Sequence, residues 1–454
     1  MAVPAVRAPW TSPAVFLAAA AAVLVALAIS LPVNHDEAQY VGPAVLAGRL
    51  RPYADFIYLQ TPLQLYLTAP LAAAAQGWSF LALRLANAAM AWGVLVLVYA
   101  AQRRLGVPAR RALIAAGLLL AAYPFEFAAA TARNDALPAL LGAGAMLAGL
   151  AALERGRTGW PLWSLAGLLL GAAASAKLSY VLPLAGAGLY LVWRSWRARL
   201  GPGPVLGFGL GGLAGLAPAG IAFLGAPEPF VWGVFTYAEA AAGYWYRLIG
   251  QGDRLHLQSR IAEGAFHLAV GPALAVLAGV GVASAARRGE ASPAERFLQV
   301  LALAGLVAAF APSPMQRQYF APMLAPLFVL WGVAKPLAIP RPWARRILLA
   351  LTLAGAAIGI GRVGYVLGEA GLGLVQGRPP PALALTAEAH WIGRTLQALH
   401  RQGPIVTASP HATADSGEPI DPRFASGAFP YRSGDLLSEI QQLRLHLAGP
   451  RTRA

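Results

Sequence analysis

The chain has 454 residues, of which 58% are hydrophobic and only 12% are charged, and its mean hydropathy is +0.57. Soluble domains carry about 25% charged residues, so this composition excludes a soluble protein and indicates a multi-pass membrane protein. The formal net charge of +16 does not indicate nucleic-acid binding, because the basic residues form short clusters between apolar runs. The sequence contains no cysteine, which excludes disulfides and thiolate metal sites.

The apolar runs predict an all-α polytopic protein with about eleven transmembrane helices. A spanning helix needs about 17 to 25 residues, and several runs after the fifth are shorter, so the number is approximate. The candidate spans are Pro13–Leu31, Leu81–Ala101, Ala112–Ala130, Ala136–Leu153, Trp160–Ala176, Tyr180–Trp193, Val205–Leu224, Phe266–Ala286, Phe297–Ala311, Phe320–Val333 and Ile347–Leu367. The first run lacks a convincing signal-peptide cleavage site and is typical of an anchor.

The basic clusters predict the orientation, because cytoplasmic loops are rich in Lys and Arg. They lie after every second span: Arg103, Arg104, Arg110 and Arg111; Arg155 and Arg157; Arg194, Arg197 and Arg199; Arg287, Arg288 and Arg296; Lys335, Arg341, Arg345 and Arg346. This places the N-terminus in the cytoplasm. The abundance of Ala, Gly and Arg is typical of a GC-rich bacterium. We therefore expect a bacterial inner-membrane protein whose site faces the periplasm.

The first external loop, residues 32–80, is long and only half polar. Thr61 and Pro62 are typical of an N-cap and first helical position, and the apolar residues that follow recur at helical spacing. This segment is too short to span and predicts an amphipathic helix along the membrane surface. A second such helix is expected from Glu37 to Gly48, with a kink at Pro43.

The sequence divides into a transmembrane module, residues 1–367, and a small external C-terminal appendage, residues 368–454. The appendage contains the helix-like stretch "AEAHWIGRTLQALHRQG" and a loop rich in Ser, Gly and Pro. The connection from Gly225 to Phe266 is aromatic. Its Tyr244, Trp245 and Tyr246 could stack on a sugar or belong to the interfacial aromatic belt, and we favour the belt.

Ionisable residues gather on the predicted external side, at or near helix ends: Asp36, Glu37, Asp55, Arg84, Arg133, Asp135 and Lys177. Charged groups near membrane depth are costly and point to function. Arg317 and Tyr319, within "SPMQRQYFAP", lie on another external turn. Cations suit an anionic phosphate, and a carboxylate suits abstraction of a hydroxyl proton. Sugar transfer from a lipid-linked phosphosugar requires both groups, a cation for the phosphate and a base for the hydroxyl.

Structural explanations compete with this hypothesis. Asp36 and Glu37 could cap the following helix, and adjacent residues of a helix diverge by about 100°, so they cannot flank one bond as a glycosidase pair does. Asp135 could form a turn, Lys177 could snorkel to the interface, and Arg84 could anchor the second span. Turn chemistry explains "SPMQRQYFAP" equally well.

The stretch "HDEAQYVGPAVLAGRLRPYADFIYLQTPLQLYL" resembles the first loop of integral-membrane glycosyltransferases of the GT-C fold. It is most similar to the branch of protein O-mannosyltransferases and lipid A aminoarabinose transferases. The matching positions are Asp36, Glu37, Tyr40, Gly48, Pro52, Tyr53, Asp55 and Pro62. Further similarity lies in "RLANAAMAWG", "AAYPFEFAAATARNDAL" and "GLLLGAAASAKLSYVLP", so that residues 31 to 185 are covered.

The resemblance implies transfer of a sugar, with inversion, from a polyprenyl-phosphate donor to a lipid or glycan acceptor. Asp36 would be the general base and Glu37 would position substrate, and both are assigned as catalytic. Tyr40 and Asp55 would support the loop. Together with the charged and turn residues noted above, the predicted substrate-binding residues are Tyr40, Asp55, Arg84, Arg133, Asp135, Lys177, Arg317 and Tyr319. Arg133 and Lys177 would hold the phosphate. No cofactor or metal is predicted, since the sequence has no phosphate-cradling Gly loop and no His/Asp spacing typical of a metal site.

Two alternatives stay open at this point. A transporter or flippase of lipid-linked sugars would place its charges near the bilayer midplane, on broken helices in inverted repeats. Here the charges lie at one surface and no repeat is visible, which favours the enzyme. A catalytically inactive scaffold is the other alternative. Besides the donor and acceptor, the expected partners are membrane lipids, with no nucleic acid.

Overall fold

The structure of this protein is a computed structural model that describes residues 12–287, 290–334, 341–401 and 403–449. Arg288 and Lys335, which contributed to the predicted orientation, lie outside these ranges. The described residues form α-helices and short helical turns, with isolated bridges in place of strands. The first six helices are α1 (Pro13–Ser30), α2 (Ala38–Leu46), α3 (Leu63–Ala74), α4 (Ser79–Arg104), α5 (Ala109–Leu120) and α6 (Tyr123–Ala130).

The middle of the chain is also helical. Its helices are α7 (Ala136–Arg155), α8 (Trp160–Ala176), α9 (Val181–Arg197), α10 (Gly203–Gly225), α11 (Pro227–Val231), α12 (Tyr237–Leu248), α13 (Leu257–Ala269), α14 (Ala273–Ala286), α15 (Pro293–Ala309) and α16 (Ala321–Val333). The last helices are α17 (Pro342–Val375), α18 (Pro381–Ala398), α19 (Ala428–Arg432) and α20 (Glu439–Arg444). The all-α fold expected from the sequence is confirmed.

By length and composition, five helical stretches of the described chain can cross a membrane, or up to seven if each of two bent helix pairs is one span. One of the five is the continuous stretch Ala136–Ala176. This stretch reverses at a short turn, as two contacts show. A Cβ at Gly159 would lie 2.5 Å from the Ala152 carbonyl oxygen, and Gly149 packs on Trp163, whereas residues so far apart in a straight helix do not touch. We therefore describe it as a hairpin of α7 and α8. The predicted number of about eleven spans stays a prediction.

Two helix pairs are sharply bent, and their breaks meet. The α5–α6 pair bends by 71° and the α13–α14 pair by 100°, and the Tyr123 amide donates to the Val270 carbonyl at 3.3 Å. Helix α17 crosses both breaks through two glycines. A Cβ at Gly355 would lie 2.4 Å from the Gly271 oxygen, and one at Gly359 would lie 2.0 Å from the Ala121 oxygen. Small residues four apart allow this close backbone approach, which buries non-helical backbone within protein.

The first loop contains both predicted helices. Helix α2 begins at Ala38 and accommodates Pro43, while α3 begins at Leu63. Pro62 is therefore the N-cap of α3, rather than its first helical residue as predicted. Tyr66 and Leu67 of α3 are 37% and 55% exposed, so the predicted apolar face is available to lipid.

The C-terminal segment, by which we mean the described residues after α17, packs directly on the first loop. A Cβ at Gly42 would lie 2.3 Å from the Ala425 oxygen, and one at Gly427 would lie 2.8 Å from the Ala38 Cβ. Val41 and Phe80 share a hydrophobic cluster with Ile420 and other C-terminal residues. The first loop thus lies between the helical bundle and the C-terminal segment, and all three contribute to the site described next.

Candidate functional site

Asp36 lies in the single 3-10 turn that joins α1 to α2, residues His35–Glu37. Its amide donates to the Asn34 side chain at 2.9 Å, which fixes the turn. Its carboxylate is 22% exposed, forms an ion pair with Arg133 and lies 3.1 Å from His35 Nε2. Burial alone would raise the pKa of Asp36, but the charges of Arg133 and His35 outweigh this effect and lower it. Asp36 is therefore an ionised carboxylate with one accessible face.

Glu37 points the opposite way from Asp36. Its carboxylate is fully buried and accepts from Arg84 at 2.8 and 2.6 Å, from the Ala132 amide at 2.7 Å and from the Asn34 amide at 2.9 Å. Arg84 is equally buried and uses its remaining donors on backbone carbonyls, those of Ala28, Leu31 and Pro32. These contacts tie the end of α1 to α4 and to the α6–α7 loop. The pair holds the turn that carries Asp36, and both side chains are fully buried.

Arg133, Asp135 and Lys177 form one buried charge cluster below Asp36. The α6–α7 loop is fixed by Asn87, whose Nδ2 donates to the carbonyls of Thr131 and Arg133 at 2.6 and 2.7 Å. Arg133 Nε donates to Asp135 at 3.1 Å, and the Lys177 ammonium binds the same carboxylate. Lys177 follows the last residue of α8 in an extended conformation, which turns its side chain toward the loop. The structure therefore brings together these three predicted residues and Asp36.

Arg317 and Tyr319 lie on the turn Arg317–Phe320, between α15 and α16. The Arg317 guanidinium stacks on Phe127 at 3.8 Å, and the Tyr319 ring is 5.7 Å from Lys177 Nζ. Arg317 makes no ion pair with another described residue. Burial, together with the charge of Arg362, lowers the pKa of Arg317 to about 10. The site therefore contains a desolvated cation that lacks an anionic partner among the described residues.

The remaining predicted residues, Tyr40 and Asp55, differ in position. The Tyr40 ring is buried and packs 5.5 Å from the Arg133 guanidinium, so it belongs to the cluster. Asp55 instead accepts from the amide and guanidinium of Arg51 at 2.7 and 2.9 Å, at a turn of the first loop. None of these contacts involves Asp36, so Asp55 supports the first loop and is not part of the charge cluster around Arg133.

Several residues of the site were not predicted. His35 is adjacent to Asp36 in sequence, and that adjacency could have indicated it. Arg362 binds Glu126 at 3.0 Å and stacks on Tyr123 at 4.0 Å; an arginine inside the apolar run of α17 was a usable signal. Arg432 stacks on Trp245 at 4.8 Å, and no local pattern indicates this contact.

The aromatic residues of α12 contact charged side chains of neighbouring segments. Tyr244 donates to Asp435 at 3.3 Å, Trp245 lies under Arg432, and Tyr246 lies 5.2 Å from the Arg254 guanidinium. The favoured interpretation as an interfacial belt does not account for these contacts, which turn α12 toward the C-terminal segment. Within residues 12–287, 290–334, 341–401 and 403–449, no three His, Cys, Asp or Glu side chains are grouped to hold a metal ion.

Comparisons with known proteins agree with this architecture. Residues 60–221 match the family model described as dolichyl-phosphate-mannose-protein mannosyltransferase. No curated protein matches the chain by sequence. Among solved structures, ArnT from Cupriavidus metallidurans bound to undecaprenyl phosphate is 18% identical, with a TM-score of 0.57 over 92% of this chain and 88% of ArnT. Apo ArnT gives a TM-score of 0.58, again at 18% identity, over 90% and 84% of the two chains.

A second group of solved structures shares the fold. The oligosaccharyltransferase of Archaeoglobus fulgidus, in complex with Zn and sulfate, is 14% identical, with a TM-score of 0.51 over 96% of this chain and 62% of that protein. These likenesses confirm the GT-C fold that the first-loop motif predicted. They also confirm the predicted resemblance to the branch that contains ArnT and the protein mannosyltransferases.

Proposed function

We propose that this membrane protein, which has the GT-C fold of the protein mannosyltransferase and ArnT branch, transfers a sugar from a polyprenyl phosphate to a lipid or polysaccharide acceptor. One observation carries the proposal. An accessible carboxylate, Asp36, is held by buried Arg133 on the same side of the site as Arg317, a cation with no anionic partner among the described residues. A carboxylate can take a hydroxyl proton, and an unpaired cation can bind a phosphate.

The chemistry follows from these positions. The acceptor hydroxyl oxygen attacks the anomeric carbon of the donor sugar, and the bond from that carbon to the lipid phosphate oxygen breaks. The bonding electron pair leaves with the phosphate, whose developing charge Arg317 and Lys177 stabilise electrostatically. The hydroxyl proton passes to Asp36. Asp36 then releases the proton to solvent through its accessible face, which is 22% exposed.

A single displacement is the expected route, and it inverts the anomeric centre. A double displacement needs a second carboxylate about 5–5.5 Å from the first, on the other side of the bond. Glu37 cannot serve, because it is fully buried and accepts from Arg84 and two amides. Glu37 and Arg84 are positioning residues in this mechanism. Asp135 likewise positions Arg133 and Lys177.

The donor class has separate support. The ArnT structure that shares this fold contains undecaprenyl phosphate, and here Arg317 lies beside the bent α5–α6 pair, on the rings of Phe127 and Tyr123. A polyprenyl chain can remain in the lipid phase while its phosphate reaches such a position. The basic clusters between alternate spans support an active site on the periplasmic face of a bacterial inner membrane.

The proposal is tested with purified protein and a panel of labelled undecaprenyl-phosphate sugars, scored for released lipid phosphate and for labelled acceptor. Release with one donor is expected. Movement of intact donor across vesicles without release would instead support a flippase. Reporter fusions at the C-terminus test the topology: an external signal is expected, and a cytoplasmic signal would contradict it.

A further inference from the structure

A second cation without an ion-pair partner among the described residues lies in the C-terminal segment. Arg432, at the end of α19, is partly buried, and its guanidinium lies 4.8 Å from the Trp245 ring and 5.3 Å from the Phe429 ring. It makes no ion pair with another described residue. A guanidinium stacked on rings keeps its N–H groups free at its edge, where they match the geometry of a phosphate or carboxylate. Arg432 is thus prepared to bind an anion.

The ion pairs of the site leave the charge of Arg432 unused. Around the site, four carboxylates of described residues already have a cation: Asp36 and Asp135 with Arg133, Asp135 also with Lys177, Glu37 with Arg84, and Glu126 with Arg362. Of the site's cations, Arg317 and Arg432 have no carboxylate partner among the described residues. The donor has one phosphate, which Arg317 and Lys177 bind in the proposed mechanism. The charge of Arg432 therefore remains for another ligand.

Arg432 is connected to Asp36 through the rings of Phe429 and His35. Phe429 stacks on His35 with a centroid distance of 5.7 Å and an angle of 12°, and His35 contacts Asp36 at 3.1 Å. Burial is the main cause that raises the pKa of Tyr237, and the charges of Arg432 and Asp36 both act on it. Arg432 of α19, Tyr237 of α12 and Asp36 of the first turn are therefore neighbours, connected through the Phe429 and His35 rings.

We propose that the surface formed by Trp245, Phe429 and Arg432 binds the acceptor, and that the acceptor is a glycan or glycolipid with a negatively charged group that pairs with Arg432. This proposal rests on the proposed function, because it assigns the second substrate of the same site. The acceptor hydroxyl then meets Asp36 while its phosphate or carboxylate is held by the C-terminal segment. Acceptor selection would accordingly reside in α12 and α19, and donor binding in the bundle.

The test uses the full-length protein with Arg432→Gln and Arg432→Lys, and Arg423→Gln as the matched control. Arg423 belongs to the same segment but pairs with Asp421 at 2.7 Å. Acceptors of three kinds are compared: a phosphorylated glycolipid, a uronate-containing glycan and a neutral glycan. For an anionic acceptor we expect Arg432→Gln to lower kcat/KM by about ten- to a hundred-fold, the range for a hydrogen bond to a charged group, with a smaller loss in Arg432→Lys. Arg423→Gln should retain wild-type kcat/KM.

Two donor readouts separate this proposal from the proposed function. Undecaprenyl-phosphate binding and slow donor hydrolysis without acceptor should be unchanged in Arg432→Gln, which also shows that the variant is folded. The charged group of the natural acceptor is identified by comparing the two anionic acceptors: it belongs to the one whose kcat/KM falls more in Arg432→Gln. Equal use of neutral and anionic acceptors by the wild type, or an equal loss of hydrolysis and transfer in Arg432→Gln, would overturn the acceptor assignment. Absence of lipid-phosphate release with every donor would instead refute the proposed function itself.

Discussion

Glu37 and Arg84 form a fully buried ion pair, with Arg84 Nη2 at 2.6 Å and Nε at 2.8 Å from the two carboxylate oxygens. Every other donor of this guanidinium goes to a carbonyl at the end of α1 or just after it. The direction in which Asp36 faces therefore depends on Arg84, which belongs to the neighbouring helix α4.

Glu37→Gln should destabilise the protein, because breaking a buried pair leaves an uncompensated charge and costs about 3–5 kcal/mol. The midpoint of thermal unfolding in detergent should fall, and donor turnover should fall with it. Asp55→Asn is the control, since Asp55 pairs with Arg51, whose side chain is 81% exposed, and its midpoint should barely change. Similar losses in the two variants would argue against the proposed positioning role.

Helix α17 should be sensitive to a methyl group at one glycine and indifferent to it at a nearby one. A Cβ at Gly359 would lie 2.0 Å from the Ala121 oxygen, whereas a Cβ at Gly361 has no atom within 4 Å. Gly359→Ala should therefore lower the unfolding midpoint, by the equivalent of about 1–3 kcal/mol for overpacking. Gly361→Ala should be neutral or slightly stabilising. A tolerated Gly359→Ala would mean that α17 does not pack on the α5–α6 break.

Asp415 joins the C-terminal segment to the start of α4. Its carboxylate accepts from the amides of Ser79 and Phe80 at 2.6 and 3.3 Å, at a helix start whose own N-cap, Trp78, supplies no side-chain bond. Asp415→Ala should lose about 0.5–2 kcal/mol, as for other N-cap deletions. Asp415→Asn keeps an acceptor oxygen and should lose less, as measured by the unfolding midpoint.

The same carboxylate predicts a pH dependence. Burial raises the pKa of Asp415, while the Ser79 and Phe80 amides oppose this in part. A raised folded-state pKa means that the protonated form favours folding. This contribution is complete below the unfolded value of about 3.9 and is lost as the pH rises through the folded value. The midpoint of Asp415→Asn relative to wild type should therefore increase as the pH rises from about 4 toward 7. A pH-independent difference would contradict this assignment.

Arg317 should matter for the donor more than for the fold. Because its guanidinium has no anionic partner among the described residues, Arg317→Gln removes a repulsive charge from the free protein and a phosphate contact from the complex. The Kd for undecaprenyl phosphate should increase by about ten- to a hundred-fold, as for a charged hydrogen bond, with little change in the unfolding midpoint. Arg51→Gln, at an exposed position, should bind normally. Unchanged binding in Arg317→Gln would place the phosphate elsewhere.

The order of the charged residues along the sequence was enough to predict part of the site. Asp36, Arg133, Asp135 and Lys177 each follow or precede an apolar run at the same predicted face, so alternation of the spans brings them together. The first-loop motif indicated the fold in a different way, through its resemblance to the first loop of GT-C glycosyltransferases.

Other features depend on contacts that no local pattern encodes. Asp36 and Glu37 are adjacent and chemically alike, and only the position of Arg84 decides which of them is buried. Arg432 reaches the site because the C-terminal segment returns over the first loop, where Gly427 packs on Ala38. The aromatic residues of α12 have the composition of an interfacial belt, and the sequence does not show that Asp435 and Arg432 contact them.

The most direct test of the mechanism is the rate of lipid-phosphate release by Asp36→Asn, with Asp55→Asn as the matched control from the same loop. A positioned general base contributes about 10²–10⁴-fold, so Asp36→Asn should lose turnover by that factor while it still binds undecaprenyl phosphate. Asp55→Asn should keep most of its activity. Full turnover in Asp36→Asn would show that another group takes the acceptor proton.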